Sequence, residues 1–168
     1  MPPGTISVEV RRISEADIPG FRDCLDAVAR ERKFLAQIEG PPLEKVKAFV
    51  LSNIQSNVPQ FVAIADSKVV GWCDVCPRPY DGMRHRGTLG MGVLHAWRGK
   101  GVGGRLLDST IAQARQAGIS RIELEVFSSN VGAIALYERA GFMREGVKRR
   151  GRILDGIADD VICMALVE

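Results

Sequence analysis

The chain has 168 residues and a net charge of +3, with 46% hydrophobic and 26% charged residues, which is typical of a globular domain, expected here over residues 1–168. The small net charge gives no reason to expect a nucleic-acid partner, and no apolar run approaches the roughly 20 residues of a membrane span. The first residues lack the basic and apolar regions of a signal peptide, so a cytoplasmic location is expected.

The first half of the chain alternates between strand and helix patterns. Ser14 with Asp17 three residues later resembles the capping box that begins a helix, and Gly40-Pro41-Pro42 separates this helix from the next one. The inner face of the second helix is expected to carry Val46, Phe49, Val50 and Ile54. The predicted elements are a strand over 6–12, helices over 15–32 and 43–55, and strands over 61–65 and 69–75.

The second half continues the same alternation, which predicts a mixed α/β fold. Between its last two predicted strands lies a basic segment with Lys148, Arg149, Arg150 and Arg152, which is expected to be a solvated loop. The predicted elements are a loop over 76–86, strands over 88–94, 121–127, 142–147 and 161–167, and helices over 102–117 and 131–140.

The four cysteines do not form the dense pattern of a disulfide framework. Cys73 and Cys76 have the spacing of a redox or zinc pair, but no second pair follows and the chain has only two histidines. Residues three apart in a strand point to opposite faces of the sheet. We therefore expect free thiols and no metal site.

The most informative segment runs from Arg98 through Gly99, Lys100, Gly101, Val102 and Gly103 to Gly104, between a predicted strand and a predicted helix. Glycines allow a tight turn, and the unpaired N–H groups at the start of a helix attract an anion such as a pyrophosphate. The nucleoside-triphosphate loop requires Gly-Lys-Ser/Thr, which is missing. The dinucleotide fingerprint stays open, since Glu123 lies near the expected distance.

The pattern formed by Arg98, Gly101 and Gly103 resembles the acyl-coenzyme-A loop of the GNAT superfamily of N-acetyltransferases. A second block, with Asn130, Ala133, Leu136, Tyr137, Gly141 and Phe142, resembles the second motif of that family in the expected order. The resemblance covers about 88–144. It implies a mixed, mostly antiparallel central sheet that is splayed between strands 4 and 5 and flanked by helices, with acetyl-CoA as the co-substrate.

The resemblance also implies which residues hold acetyl-CoA. The pantetheine arm would pair with the fourth strand, the glycine turn would bind the pyrophosphate, and the second motif would complete the site. Asn130 is a good helix N-cap, so it fits a plain cap, a cofactor contact or both. The implied cofactor-binding residues are Met91, Gly92, Val93, Arg98, Gly99, Lys100, Gly101, Val102, Gly103, Gly104, Asn130 and Tyr137.

Acetylation of an amine needs a base for the amine and an acid for the departing thiolate. By the family's second motif, Tyr137 is the expected acid. Glu125 precedes Tyr137 by twelve residues, a spacing similar to that of the proposed base in bacterial ribosomal-protein N-terminal acetyltransferases. His85, whose ordinary pKa suits base chemistry near neutrality, and water remain open alternatives for the base.

The acceptor side carries less information. In the family, acceptors enter beside the first two helices and the loop after the third strand, where Phe34, Trp72 and Tyr80 would line a pocket, with Asp74 for an ammonium group and His85 nearby. Parts of the chain also resemble bacterial L-amino-acid N-acetyltransferases. We therefore expect a small-molecule amine, such as an amino acid. The alternatives are a protein N-terminal acetyltransferase or a non-catalytic acyl-CoA-binding module, and the family resemblance allows a homodimer.

Overall fold

A seven-stranded mixed sheet with four α-helices forms the computed structural model, which describes residues 6–168. The expectation of a missing leader rests in part on residues 1–5, which lie outside this range. The strands are β1 (Val8–Arg12), β2 (Gln60–Ala65), β3 (Lys68–Pro77), β4 (Arg86–Val93), β5 (Arg121–Phe127), β6 (Met143–Leu154) and β7 (Ile157–Val167). The helices are α1 (Ile18–Arg30), α2 (Leu43–Gln55), α3 (Val102–Gln116) and α4 (Val131–Arg139).

The helices cover both faces of the sheet and create two apolar cores. On one face, Phe21 of α1 and Val50 of α2 pack with Trp72 of β3. On the other face, Leu106 of α3 and Tyr137 of α4 belong to a larger core with the opposite side chains of the strands. Burying each large apolar side chain contributes roughly 1.5–3 kcal/mol, so both layers stabilise the sheet between them. Among the residues described, no helix is both long and apolar enough to cross a membrane.

The sheet has a gap between its two central strands, as the family resemblance implied. The strand order is β1-β2-β3-β4-β5-β7-β6, and every neighbouring pair is antiparallel except β4 and β5. These two strands pair in parallel only from Arg86 and Arg121 to Thr88 and Glu123. Beyond that point β4 continues to Val93 and β5 continues to Phe127, but the two strands no longer pair with each other. The edge of β4 therefore faces an open space within the sheet.

The prediction of a solvated basic loop over 148–152 is half correct, because the segment is exposed but forms a strand. That segment belongs to β6, which runs to Leu154 and pairs with β7 around a turn at Asp155 and Gly156. The arginine-rich sequence lacks the apolar alternation of a half-buried strand, because β6 is an exposed edge strand. Charged side chains on such an edge discourage pairing with a second sheet.

The prediction for the inner face of α2 is only half correct. Val46 and Val50 are buried, but Phe49 and Ile54 are 41% and 43% exposed. The third inward position is Asn53, whose amide donates to Gln60 Oε1 at 3.0 Å. A polar residue occupies a core position here because a buried partner satisfies the hydrogen bond of its amide group. The spacing of apolar residues in the sequence gives no sign of such a partner.

Candidate active site

The glycine turn before α3 exposes its backbone. Gly99 and Gly101 have φ angles of 72° and 80°, in the left-handed region that favours glycine, and Gly101 is the residue that caps α3. A Cβ at either position would meet no atom within 4 Å, so the turn is open on its outer side. The first N–H groups of α3 point toward this opening with the positive end of the helix dipole. The turn therefore fits the pyrophosphate of a coenzyme.

Gly103 has a different role from the two turn glycines. A Cβ built on it would lie 3.2 Å from Leu136 Cδ2 on α4 and 3.6 Å from Met91 Cε on β4. The absence of a side chain lets α3 approach α4 and the unpaired end of β4, where Val93 is also near. Gly103 therefore holds together the three elements that the resemblance assigns to the coenzyme.

Arg98 is engaged away from the turn. Its Nε donates to the Val93 carbonyl at 2.9 Å, and its guanidinium forms a bidentate ion pair with Glu31 just after α1. The guanidinium also lies 4.6 Å above the ring of Phe34. The Lys100 ammonium nitrogen, by contrast, lies over the face of the Trp97 ring, 5.2 Å from the ring centroid. Arg98 therefore joins β4 to the end of α1.

A cleft of about 220 Å³ lies on the opposite face of β4, under α1 and α2. Gly90 and Met91 of β4 form one side, and Trp72 and Asp74 of β3 lie next to them. The cleft is therefore adjacent to the unpaired edge of β4. The remaining lining residues are Phe21, Leu25, Leu35, Gln37 and Phe49.

The structure brings together only some of the residues expected on the acceptor side. Trp72 and Asp74 line the cleft, but Phe34 lies beneath the Arg98 guanidinium instead. Tyr80 is 69% exposed on the loop after β3, and His85 is exposed on the same loop. Sequence reasoning missed Phe21, Leu25 and Phe49, since apolar helix residues look alike whether they fill a core or line a cleft.

Asp74 is the one acidic side chain in the cleft. It is 7% exposed, and its Oδ1 accepts a weak hydrogen bond from Cys76 Sγ at 3.7 Å. No basic side chain among residues 6–168 forms an ion pair with it. Burial raises its pKa from 3.8 to about 7, and the Cys76 thiol opposes this only in part. Asp74 can therefore gain or lose a proton near neutral pH.

Glu125 lies on β5, across the gap from β4, and its side chain is 57% exposed. It forms an ion pair with Lys148 of β6. Its neighbour Glu123 accepts hydrogen bonds from Arg86 at 2.7 Å and Arg121 at 2.9 Å. Burial by itself raises the pKa of Glu123, but the two guanidinium groups outweigh it and lower that pKa. Each of the two β5 carboxylates is therefore paired with at least one cationic side chain.

Tyr137 is buried in the core on the α4 side of the sheet, 7% exposed, with its ring 5.7 Å from that of Phe142. Burial, and to a smaller extent Cys73, raises the pKa of its phenol above the usual value. The hydroxyl therefore stays protonated through neutral pH, as an acid requires. Asn130 caps α4, since its Oδ1 accepts from the Ala133 N–H at 3.3 Å, which confirms its expected role as an N-cap.

A connection that the sequence did not predict spans from the end of α1 to the β6–β7 hairpin. Arg32 forms a bidentate ion pair with Asp155, with N–O distances of 2.7 and 3.0 Å. Arg152 donates to the carbonyls of Arg32 and Lys33 and lies 4.3 Å above the ring of Phe127. We call these four residues, Arg32, Lys33, Arg152 and Asp155, the strap. It joins the loop that supplies Leu35 and Gln37 to the far side of the gap.

Comparison with known proteins agrees with this geometry. Residues 25–142 match the model of the acetyltransferase (GNAT) family. The chain is 30% identical to L-amino acid N-acetyltransferase AaaT of Escherichia coli over 112 residues, which cover 66% of this chain and 69% of that protein. It is 27% identical over 143 residues to an L-methionine sulfoximine/L-methionine sulfone acetyltransferase of Pseudomonas paraeruginosa, covering 84% and 83% of the two chains.

A solved acetyltransferase of the GNAT family from Streptococcus pneumoniae has the same fold. Its TM-score to this chain is 0.90 at 25% identity, covering 96% of this chain and 100% of that one. The splayed sheet, the glycine turn and the two ordered motifs thus occur together with a family match that spans most of the chain. The chain therefore belongs to the GNAT family of acetyltransferases and is an acyltransferase enzyme.

Proposed function

We propose that this enzyme transfers the acetyl group of acetyl-CoA to the primary amine of a small molecule with an apolar side chain, such as an apolar amino acid. The amine attacks directly while both substrates are bound. The observation that carries this proposal is the cleft, whose apolar walls lead to the single carboxyl group of Asp74 beside the unpaired edge of β4. Charge and shape thus select an ammonium group at one end and an apolar group at the other.

Acetyl-CoA supplies an acetyl group activated as a thioester. The N–H groups of Val102, Gly103 and Gly104 at the start of α3 would hold the pyrophosphate, with Gly99, Lys100 and Gly101 forming the turn around it. The backbone of β4 from Met91 to Val93 has no strand partner on the side that faces β5 and would offer hydrogen-bonding groups there to the pantetheine amides, apart from the Val93 carbonyl that Arg98 Nε engages. Asn130, already used as a cap, lies at the start of the adjacent helix.

Tyr137 would protonate the departing thiolate. Its position on α4, the helix that Gly103 allows α3 to approach, places it on the coenzyme side of the gap. Since its pKa is raised, the hydroxyl carries its proton at every pH where the enzyme would work. Glu125, His85 and water are the bases that the sequence suggests, and all three stay predictions.

The strap favours a small acceptor over a protein N-terminus. It connects the α1–α2 loop to the β6–β7 hairpin, and we propose that this connection limits access for an extended peptide. A protein N-terminal acetyltransferase remains the alternative function, and an acyl-CoA-binding module without turnover the second alternative. The homodimer that the family resemblance allows stays a prediction.

The test is coenzyme A release from acetyl-CoA at pH 8 across the twenty amino acids, polyamines and short peptides. We expect turnover with apolar amino acids or apolar amines, and little with polyamines or peptides. Faster turnover with peptides would establish the N-terminal acetyltransferase function instead. Tight acetyl-CoA binding by calorimetry with no turnover of any amine would contradict the enzymatic proposal and support the binding module.

A further inference from the structure

The cleft contains a titratable group that the family's motifs do not mark. Asp74 lies on β3 directly opposite Gly90 of β4, and a Cβ built on Gly90 would lie 3.5 Å from Asp74 Oδ1. The carboxyl group therefore lies next to Gly90, within van der Waals range of a side chain at that position. Gly90 also lies just past Thr88, where the pairing of β4 with β5 stops. Asp74 thus lies beside the point where the sheet opens.

We propose that Asp74 is the general base that removes the proton from the acceptor's ammonium group, an assignment that rests on the proposed function. The fourth strand carries no carboxylate beside the gap, since Leu89, Gly90, Met91 and Gly92 occupy that part of it. The carboxyl group of Asp74, on the neighbouring strand, lies next to Gly90 and lines the cleft.

The surroundings of Asp74 contain no charge that would fix its protonation state. The nearest titratable group is the Cys76 thiol on the same strand, and the cross-strand neighbour on β2 is Gln60. Within residues 6–168, the other elements around the cleft present only uncharged side chains toward it. These are Phe21 and Leu25 of α1, Gln37 of the following loop, Phe49 of α2, and Gly90 and Met91 of β4.

This environment gives the carboxyl group the proton affinity of a working base. Burial in the cleft raises the pKa of Asp74 to about 7. A general base is most effective when its pKa is close to the pH of operation, because it is then largely ionised and still basic. Glu125, by contrast, is exposed to solvent and paired with Lys148. His85 lies outside the cleft lining.

The step is a simple proton transfer coupled to acyl transfer. The ionised Asp74 carboxylate accepts one proton from the acceptor's ammonium nitrogen. The nitrogen lone pair then forms a bond to the thioester carbonyl carbon, the carbon–sulfur bond breaks, and the nitrogen gives up its second proton to solvent. The sulfur takes up the proton of the Tyr137 hydroxyl, which regains one from solvent, and Asp74 releases its proton to solvent after the product leaves. The products are the N-acetyl amine and coenzyme A, with no net oxidation.

The experiment compares pH profiles of kcat/KM for the wild-type enzyme, Asp74→Asn and Glu125→Gln, using the best amine from the screen. Asp74→Asn should lower kcat/KM by roughly 100-fold or more, in the range of general-base catalysis. It should also remove the acidic limb of the profile, which is the fall in kcat/KM on the acidic side of pH 7. The kcat/KM of the variant should then rise with pH only as the amine itself loses its proton. Acetyl-CoA affinity should be unchanged. Asp108→Asn, an exposed aspartate on α3, is the matched control and should retain the wild-type profile.

Two results would overturn the assignment while leaving the proposed function intact. In the first, the Asp74→Asn enzyme keeps the acidic limb of the kcat/KM profile. In the second, Glu125→Gln removes that limb. A third readout needs no turnover, since carbon NMR of the aspartate side chains, assigned with Asp74→Asn, follows the carboxyl group directly. Titration of Asp74 near its ordinary value of 3.8 would also overturn the assignment. Absence of turnover with every amine would instead reject the proposed function itself.

Discussion

Two carboxylates lie on either side of the gap between β4 and β5, and their environments are opposite. Asp74 is 7% exposed, surrounded by apolar walls and without a cationic partner among residues 6–168. Glu125 is exposed and held by Lys148. Sequence spacing pointed to Glu125, whereas the packing around Asp74 is what raises the pKa of that carboxyl group. The side chains that cover an acid thus say more about its chemistry than its position along the chain.

The largest expected effect is on stability, and it tests this contrast without any substrate. Because the folded pKa of Asp74 is about 7 and its ordinary value is 3.8, the unfolded chain loses this proton first as the pH rises. This group's contribution to folding is therefore fully favourable below about pH 4, declines between about pH 4 and 7, and stays low above that range. Asp74→Asn should raise the free energy of unfolding at pH 8 by up to about 4 kcal/mol.

Urea unfolding at pH 5 and pH 8 measures this effect. The gain from Asp74→Asn should be larger at pH 8 than at pH 5, whereas Glu125→Gln should change stability by less than about 1 kcal/mol, as for other surface ion pairs. An Asp74→Asn variant that is less stable than wild type at pH 8 would contradict the description of Asp74 as a buried, unpaired carboxylate.

The next effect concerns the coenzyme side of the gap. Gly103→Glu places a new Cβ 3.2 Å from Leu136 Cδ2, so the added side chain meets Leu136. It also adds a negative charge next to the proposed pyrophosphate site. We expect acetyl-CoA affinity to fall roughly 100-fold, about 3 kcal/mol, by calorimetry. Gly146→Glu adds the same charge where a Cβ meets open space and serves as the control. Normal binding by a folded Gly103→Glu protein would place the pyrophosphate elsewhere.

A smaller effect should follow from removing the buried phenol. Tyr137→Phe keeps the packing against Phe142 and removes only the hydroxyl, so kcat should fall roughly tenfold or more with acetyl-CoA affinity nearly unchanged. Tyr80→Phe removes the other tyrosine hydroxyl of the chain, which is 69% exposed. An equal loss in both variants, or unchanged kcat in Tyr137→Phe when chemistry limits turnover, would remove Tyr137 from the mechanism.

The smallest effect concerns the boundary of the acceptor side. Arg152→Ala removes the hydrogen bonds to the carbonyls of Arg32 and Lys33 and should loosen the strap at a cost of roughly 1 kcal/mol or less. The KM for a small amine should rise a few-fold, and slow acetylation of short peptides should become measurable. Peptide turnover by the wild-type enzyme that equals turnover of small amines would show that the strap does not limit the acceptor.

Much of the fold could be predicted from the sequence, because its signals are local. The Asn130 cap, the glycine turn before α3 and the strand β5 each depend on a few neighbouring residues, and the structure confirms all three. The length of β6 could not be predicted in the same way. Its backbone pairs with β7 while its side chains remain in solvent, and an exposed edge strand carries no hydrophobic period.

The candidate site was only partly accessible to sequence reasoning. Trp72 and Asp74 were expected on the acceptor side, but the burial of Asp74 depends on Phe21 and Phe49, which are distant in sequence. The ion pair of Arg98 with Glu31 likewise joins residues 67 positions apart. A motif shows which residue types are present, whereas the pKa of an acid depends on which side chains the tertiary fold packs around it.

The short junction of β4 and β5 also determines how the sheet exchanges its amide hydrogens. Beyond Thr88, the side of β4 that faces β5 has no strand partner, whereas β7 pairs on both sides. Deuterium should therefore enter β4 faster than β7 in the free enzyme. Acetyl-CoA, bound along that edge, would slow exchange most in β4. The donor substrate would then stabilise the fold at the place where the sheet lacks its own hydrogen bonds.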